Sequence, residues 1–205
     1  MQLPKKPEFE PIKPDDELDN ADIQSQFVLV PKHRYAPLKK AWFSHIYEPI
    51  RNEMKIDIRM NLKAKRVELK TMPHTPDISN LCRSVSFVEA FMAGFDPEQI
   101  RDAFFKYEHI EMSSLDMRDV KCTLKGNHLD RAIGRVCGKG GKTKFMIENA
   151  TKTRIVVAGS QIYIVGSVDA IKFAKDCVQR LVLGSPAGKI QARLRTITAR
   201  ASERL

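Results

Sequence analysis

The chain has 205 residues and a formal net charge of +10, room for one medium domain or two small ones. No run approaches the ~20 apolar residues of a membrane span, and Met1-Gln2-Leu3-Pro4-Lys5-Lys6 lacks the apolar stretch of a secretory signal. The 4 cysteines, Cys82, Cys122, Cys137 and Cys177, form no CxxC pair and are expected to be buried free thiols in a reducing compartment, with no metal or cofactor.

Residues 1–26 are rich in Pro, Lys, Asp and Glu and poor in large apolar side chains, so they predict an extended tail. Asp15-Asp16-Glu17 is the one carboxylate cluster, and it reads as solvated charge rather than a metal site. Phe27-Val28-Leu29-Val30 predicts a strand. Leu38, Trp42, Ile46, Ile50 and Met54 recur at every fourth position and predict a helical face, which Pro49 is expected to divide into two helices. Ile56 to Met60 and Arg66 to Lys70 alternate apolar with polar around a bend at Leu62 to Lys65, the pattern of a hairpin. Leu81, Val85, Val88 and Phe91 or Met92 continue as a helix up to Gly94. Residues 27–95 thus read β-α-α-β-β-α. A linking helix follows within 96–110, capped by Asp96 and Pro97 and carrying Ile100 and Phe104.

Residues 111–184 repeat that order. Met112 to Leu124 is the leading strand, Ala132 to Val136 the first helix, and Phe145-Met146-Ile147 the second. Thr153 to Val157 and Gln161 to Val165 form strands around the turn Ala158-Gly159-Ser160. Ala170, Ile171, Ala174, Val178 and Leu181 or Val182 keep the helical period until Gly184 stops it. Both halves close with a hairpin, an apolar helix and a glycine, which marks an internal duplication. One difference separates them: no glycine precedes Gly94, so only the second copy carries a GxxG, Gly138-Lys139-Gly140-Gly141. Residues 185–205 predict a basic amphipathic helix striped by Ile190, Leu194, Ile197 and Ala201. It is expected to leave the body at Gly184 to Gly188 and dock Lys189, Arg193, Arg195 and Arg200 on RNA or a partner. Packing on its own domain is the competing reading.

A GxxG between two helices suits a nucleic-acid backbone. Glycine omits the Cβ that would hold phosphates away. The following helix adds unpaired N–H groups and the positive end of its dipole. Between Lys121 and Gly184 there are twelve Lys or Arg against four Asp or Glu, a surplus suited to a polyanion. With GxxG between its adjacent helices, the β-α-α-β-β-α order resembles the type I KH RNA-binding module. The fold class expected is α+β: two tandem type I KH-like modules, the first degenerate, plus the C-terminal helix. A KH groove holds about four unpaired nucleotides. Gly138, Lys139, Gly140 and Gly141 are its expected backbone side, with Arg131, Arg135, Lys142, Lys144 and Arg154 as cationic contacts. Ile133, Val136, Phe145 and Ile155 are candidates for its apolar side, shared with the core.

The run Asp130 to Phe145, the run Ile147 to Val156, and Leu183-Gly184-Ser185-Pro186-Ala187-Gly188-Lys189 together resemble the Partner-of-Nob-one family, KH-domain assembly factors of the small ribosomal subunit. Pro31-Lys32-His33-Arg34, Arg59-Met60-Asn61-Leu62-Lys63 and Val67-Glu68-Leu69 resemble that family's degenerate first module. The family often has an acidic residue within GxxG, or proline where Ala187 stands. Neither departure removes the cradle. The resemblance implies binding near the 3′ end of the small-subunit ribosomal RNA precursor and a non-catalytic role. It implies partnership with the endonuclease that trims that end, alongside other assembly factors and ribosomal proteins. It also implies the nucleolus, the nucleus and cytoplasmic pre-ribosomes as the place of action, away from membranes.

Two other classes compete. An RNA-processing enzyme needs a nucleophile elbow, a Walker motif or metal-ligand spacing, and the sequence shows none of these, so no catalytic residue is expected. A generic KH regulator of messenger RNA shares the groove, but not the degenerate first copy or the Gly184 to Lys189 segment.

Overall fold

Alternation in the strand sequences decides which side chains face inward. A computed structural model describes residues 23–72, 75, 77–107 and 109–202. Residues 1–22 of the expected tail therefore lie outside the described residues. β1 (Ser25–Leu29), β2 (Ile56–Asn61) and β3 (Arg66–Thr71) form an antiparallel sheet in the order β1-β3-β2. Val28, Ile58, Val67 and Leu69 share its inner face and are buried. Strand β1 takes in Ser25 and Gln26, which the sequence places in the tail.

α1 (Tyr35–Ala41) runs on through π-helical turns at Trp42–Tyr47 and Ile50–Met54. Pro49 does not split this run, correcting the two-helix expectation; it keeps helical angles, φ −61° and ψ −45°. The wide turn before it bonds the Glu48 amide to the Phe43 carbonyl, so the ladder is already shifted where proline lacks its N–H. The four-residue apolar spacing has the same cause. A helix of 3.6 residues per turn would carry such a stripe off one face, whereas wider turns keep Leu38, Ile46, Ile50 and Met54 all buried.

α2 (Ser79–Ala93) ends at Gly94, and α3 (Pro97–Lys106) begins on an Asp96 carboxylate that accepts the Glu98 amide. Ile100 and Phe104 are fully buried, and Phe87 meets the Phe104 and Phe105 rings edge-on.

β4 (Ile110–Asp116), β5 (Arg154–Ala158) and β6 (Gln161–Ser167) form the second sheet, in the order β4-β6-β5. Both sheets thus place the last strand of their module in the centre. The leading strand stops at Asp116 rather than Leu124, because that carboxylate caps the Arg118 amide and starts α4 (Met117–Val120). α5 (Asn127–Cys137), α6 (Lys142–Thr151) and α7 (Val168–Leu183) cover one face through Ile155, Ile162 and Ile164. The other face is covered too. Val165 belongs to the first module's core, with Met112, Val156 and Tyr163 packed against it.

α8 (Ala187–Ser202) packs on α6 and α7 through Ile190 and Leu194, both buried in the second core. This corrects the expectation that the helix leaves the body: the part of its stripe formed by Ile190 and Leu194 is already used. Arg193 is paired with Asp176 at 2.9 Å. Ile197, Arg200 and Ala201 are described in backbone only.

The cysteines also differ from expectation. Only Cys177 is buried, which pushes its thiol above the ordinary range. Cys82 and Cys122 are exposed and Cys137 is half-buried. Cys82 follows the buried Leu81, one position around α2 and so on the outer side. Among the described residues, no helix is long and apolar enough to cross a membrane, and no group of His, Cys, Asp and Glu could hold a metal.

Candidate nucleic-acid interface

The four-residue connection between α5 and α6 uses its three glycines for different ends. Gly138 takes φ 73° and ψ 175° and lies hard against Thr143. A Cβ there would stand 2.9 Å from the Thr143 amide nitrogen, so side-chain rotation could not relieve the clash. Gly140 (φ 62°) and Gly141 (φ 76°) adopt left-handed backbone and face open space, with nothing within 4 Å of a built Cβ. α6 starts directly after them, and no side chain caps its first turn. The Lys142 amide bonds to the Lys139 carbonyl and the Gly141 amide to the Gly138 carbonyl, and the positive end of the α6 dipole favours an anion at this turn.

Beside this turn runs a groove of about 720 Å³. Gly140, Gly141, Lys144 and Phe145 line its helical side, and Arg154 and Ile155 its strand side. Its third wall comes from the turn between α2 and α3 in the first module. Phe145 is 59% exposed, a large aromatic ring left available for a base to stack on. Glu148 joins the two sides. Its buried carboxylate accepts the Ile155 amide at 2.7 Å and lies 3.8 Å from the Lys144 ammonium.

The family model for the second KH module of PNO1, a eukaryotic type KH-domain (KH-domain type I), matches residues 114–199. The RNA-binding protein pno1 of Drosophila melanogaster is 49% identical over 178 residues, 87% of this chain and 73% of that one. The chain belongs to the PNO1 family. The pre-rRNA-processing protein PNO1 of Candida albicans is 47% identical over 89% of this chain and 65% of its own length. Among solved structures, a chain in the a/eIF2alpha-aDim2p-rRNA complex from Pyrococcus horikoshii OT3 superposes with a TM-score of 0.76. It is 25% identical, over 90% of this chain and 99% of that one. The resemblance read from the sequence is thus borne out, and so is the α+β KH fold class.

In this PNO1-family chain the expected site residues divide. Gly140, Gly141, Lys144 and Arg154 converge on the groove, and Lys139 and Lys142 stand exposed in and beside the turn. Arg131 is exposed on α5, outside the groove walls. Ile133 is half-buried against the second core and Val136 fully buried in it, while buried Ile155 reaches the groove. Arg135 is engaged elsewhere: its guanidinium donates to the Leu181 and Val182 carbonyls, both at 3.1 Å, and closes the C-terminal end of α7. Glu148 is absent from the sequence expectation. Its spacing of four from Lys144 signals an ion pair, but nothing local signals its bond to β5.

Proposed function

We propose that this chain is a non-catalytic RNA-binding factor that acts in small-subunit ribosomal RNA processing by holding unpaired precursor RNA near its 3′ end. The observation that carries this reading is the groove beside Gly140 and Gly141. It joins open left-handed glycines and the N-terminal end of the α6 dipole to Lys144, Arg154 and an exposed Phe145. The helix end and the cations hold the sugar–phosphate backbone, while the apolar side takes the bases, the division of labour expected for single-stranded RNA. The pre-rRNA-processing names of its relatives and the rRNA in the Pyrococcus complex support assigning that RNA to the ribosome.

Held in this way, a single-stranded cleavage region is both shielded and presented. The factor then helps the maturation endonuclease position or time its cut, working in the nucleolus and nucleus and on cytoplasmic pre-ribosomes. Lys189 and Arg195 remain exposed on α8 and extend the basic surface towards RNA or a neighbouring assembly factor.

The test is a Lys139→Asp/Gly140→Asp variant. Gly140 faces open space, and Asp tolerates left-handed backbone better than most residues. The fold should survive while single-stranded RNA affinity falls at least tenfold, about 1.4 kcal/mol. Unchanged binding by the folded variant rejects the groove. Crosslinking in cells then reads the RNA: recovery of messenger RNA without ribosomal precursor rejects the ribosomal assignment.

A further inference from the structure

We propose that the turn from the first module into its linking helix α3, although that module has no GxxG, supplies the base-selecting wall of the RNA groove, with Asp96 and Gln99 as the selecting residues. The proposal rests on the reading of that groove as an RNA site. Asp96 and Gln99 line it together with the Gly140-Gly141 turn and β5.

The wall is placed by close packing. α2 ends at Gly94, whose left-handed backbone (φ 115°) turns the chain into α3. A Cβ on Gly94 would lie 3.4 Å from Val156 Cγ1, so the turn sits directly on β5. The turn is anchored on both sides. Phe95 is 4% exposed and its amide bonds to the Ala90 carbonyl at 3.2 Å, and Ile100 is fully buried. Asp96 and Gln99 are exposed on this fixed support, and the Gln99 amide nitrogen lies 3.4 Å from Asp96 Oδ2. The two side chains are thereby oriented as a unit.

The chemistry of this wall is wrong for phosphate. A carboxylate repels a phosphodiester, and the opposite side already supplies cations and the helix dipole. It suits the edge of a base. An ionised carboxylate only accepts, so it pairs with the exocyclic amines of cytosine, adenine or guanine. Uracil carries no such amine and flanks its single N–H with two carbonyl oxygens, which the carboxylate repels. Gln99 adds a donor and an acceptor side by side, the pattern that reads a base edge in two bonds. This wall at the end of the degenerate copy thus favours an amino-bearing base over uracil at one position of the bound strand.

The experiment uses the full chain and a fluorescein-labelled single-stranded RNA pool, with four randomised positions between uridine flanks. The bound fraction is sequenced at each position. The wild-type chain should enrich an amino-bearing base over uracil at one position. Asp96→Asn, which keeps the cap on α3, and Gln99→Ala should each shrink that enrichment by about fivefold or more, the scale of one base-edge contact. Preferences at the other positions should persist. Gly140→Asp should weaken binding of all sequences alike. If Gly140→Asp abolishes binding while Asp96→Asn and Gln99→Ala keep the full wild-type preference, the base-selecting wall is rejected and the RNA groove stands. If Gly140→Asp binds as the wild type does, the groove itself is rejected, and the wall with it.

Discussion

The Glu148 carboxylate accepts the Ile155 amide at 2.7 Å, and this bond fixes α6 against β5 beside the proposed RNA groove. β5 is an edge strand of its sheet. Its outward amides have no strand partner, and a buried one must find another acceptor.

Glu148→Ala should therefore leave the Ile155 amide buried and unpaired, at a cost of about 1–3 kcal/mol. Glu148→Gln keeps an acceptor oxygen and should lose less. Urea denaturation of the two variants checks the order. Equal losses would mean that the carboxylate charge, not the bond to Ile155, matters.

Lys142 stands exposed at the first position of α6. If it meets a phosphate, Lys142→Ala should reduce the slope of log affinity against log salt by about 0.7, the value for one contact on a single strand. Base preference should not change, because phosphate contacts carry no sequence information. RNA titrations at several salt concentrations measure both.

Leu194 is 2% exposed on the inner face of α8. Leu194→Ala should destabilise the fold by about 2–5 kcal/mol, the range for truncating a buried leucine. Deletion of residues 187–205 should lower the melting temperature by many degrees. A helix used only for docking would leave both quantities nearly unchanged.

Glu68 lies on the open face of the first sheet, bound by Arg59, Arg66 and Asn61. Led by Arg59, these partners hold its carboxyl down from 4.5 to about 2. A lowered folded-state value stabilises the protein fully above the ordinary glutamate range. That contribution fades as the pH falls through about 2. Glu68→Gln should therefore melt below the wild type at pH 6, and the gap should narrow as pH approaches 2. A gap independent of pH would show that the carboxylate charge contributes nothing.

Much of this architecture is legible in the sequence because its signals are local. Alternation at Ile56 to Met60 and Arg66 to Lys70 gives a hairpin, Asp96 with Pro97 gives a helix start, and Gly94 and Gly184 give helix ends. The failures come from contacts across the chain. Pro49 reads as a breaker because a proline inside an ordinary helix is one, and only the π-helical turns around it remove the conflict. Arg135 reads as a phosphate contact because it lies close to GxxG, while its real acceptors lie 46 and 47 residues away. The groove follows the same rule. Its glycines and lysines are visible as a motif, but Glu148 bonds to a strand seven residues on and Asp96 reaches the groove from outside the second module. The nearly unbroken apolar run Ile162 to Val165 did carry a signal of burial on both faces.

That double burial bears on how a copy without GxxG is retained. Val165, Met112, Val156 and Tyr163 face the first module, so cutting the chain between its repeats would expose a greasy surface on the RNA-binding half. The two repeats are separable as sequence but not as thermodynamic parts. RNA lodged in the groove stabilises whatever must be folded to form it, and that includes the first module's core. A truncation of Phe87 or Ile50, buried in the first core and away from the groove, should therefore weaken RNA binding by draining the folded population. The copy without GxxG thus serves its sibling as a folded platform, through the volume and shape of its core.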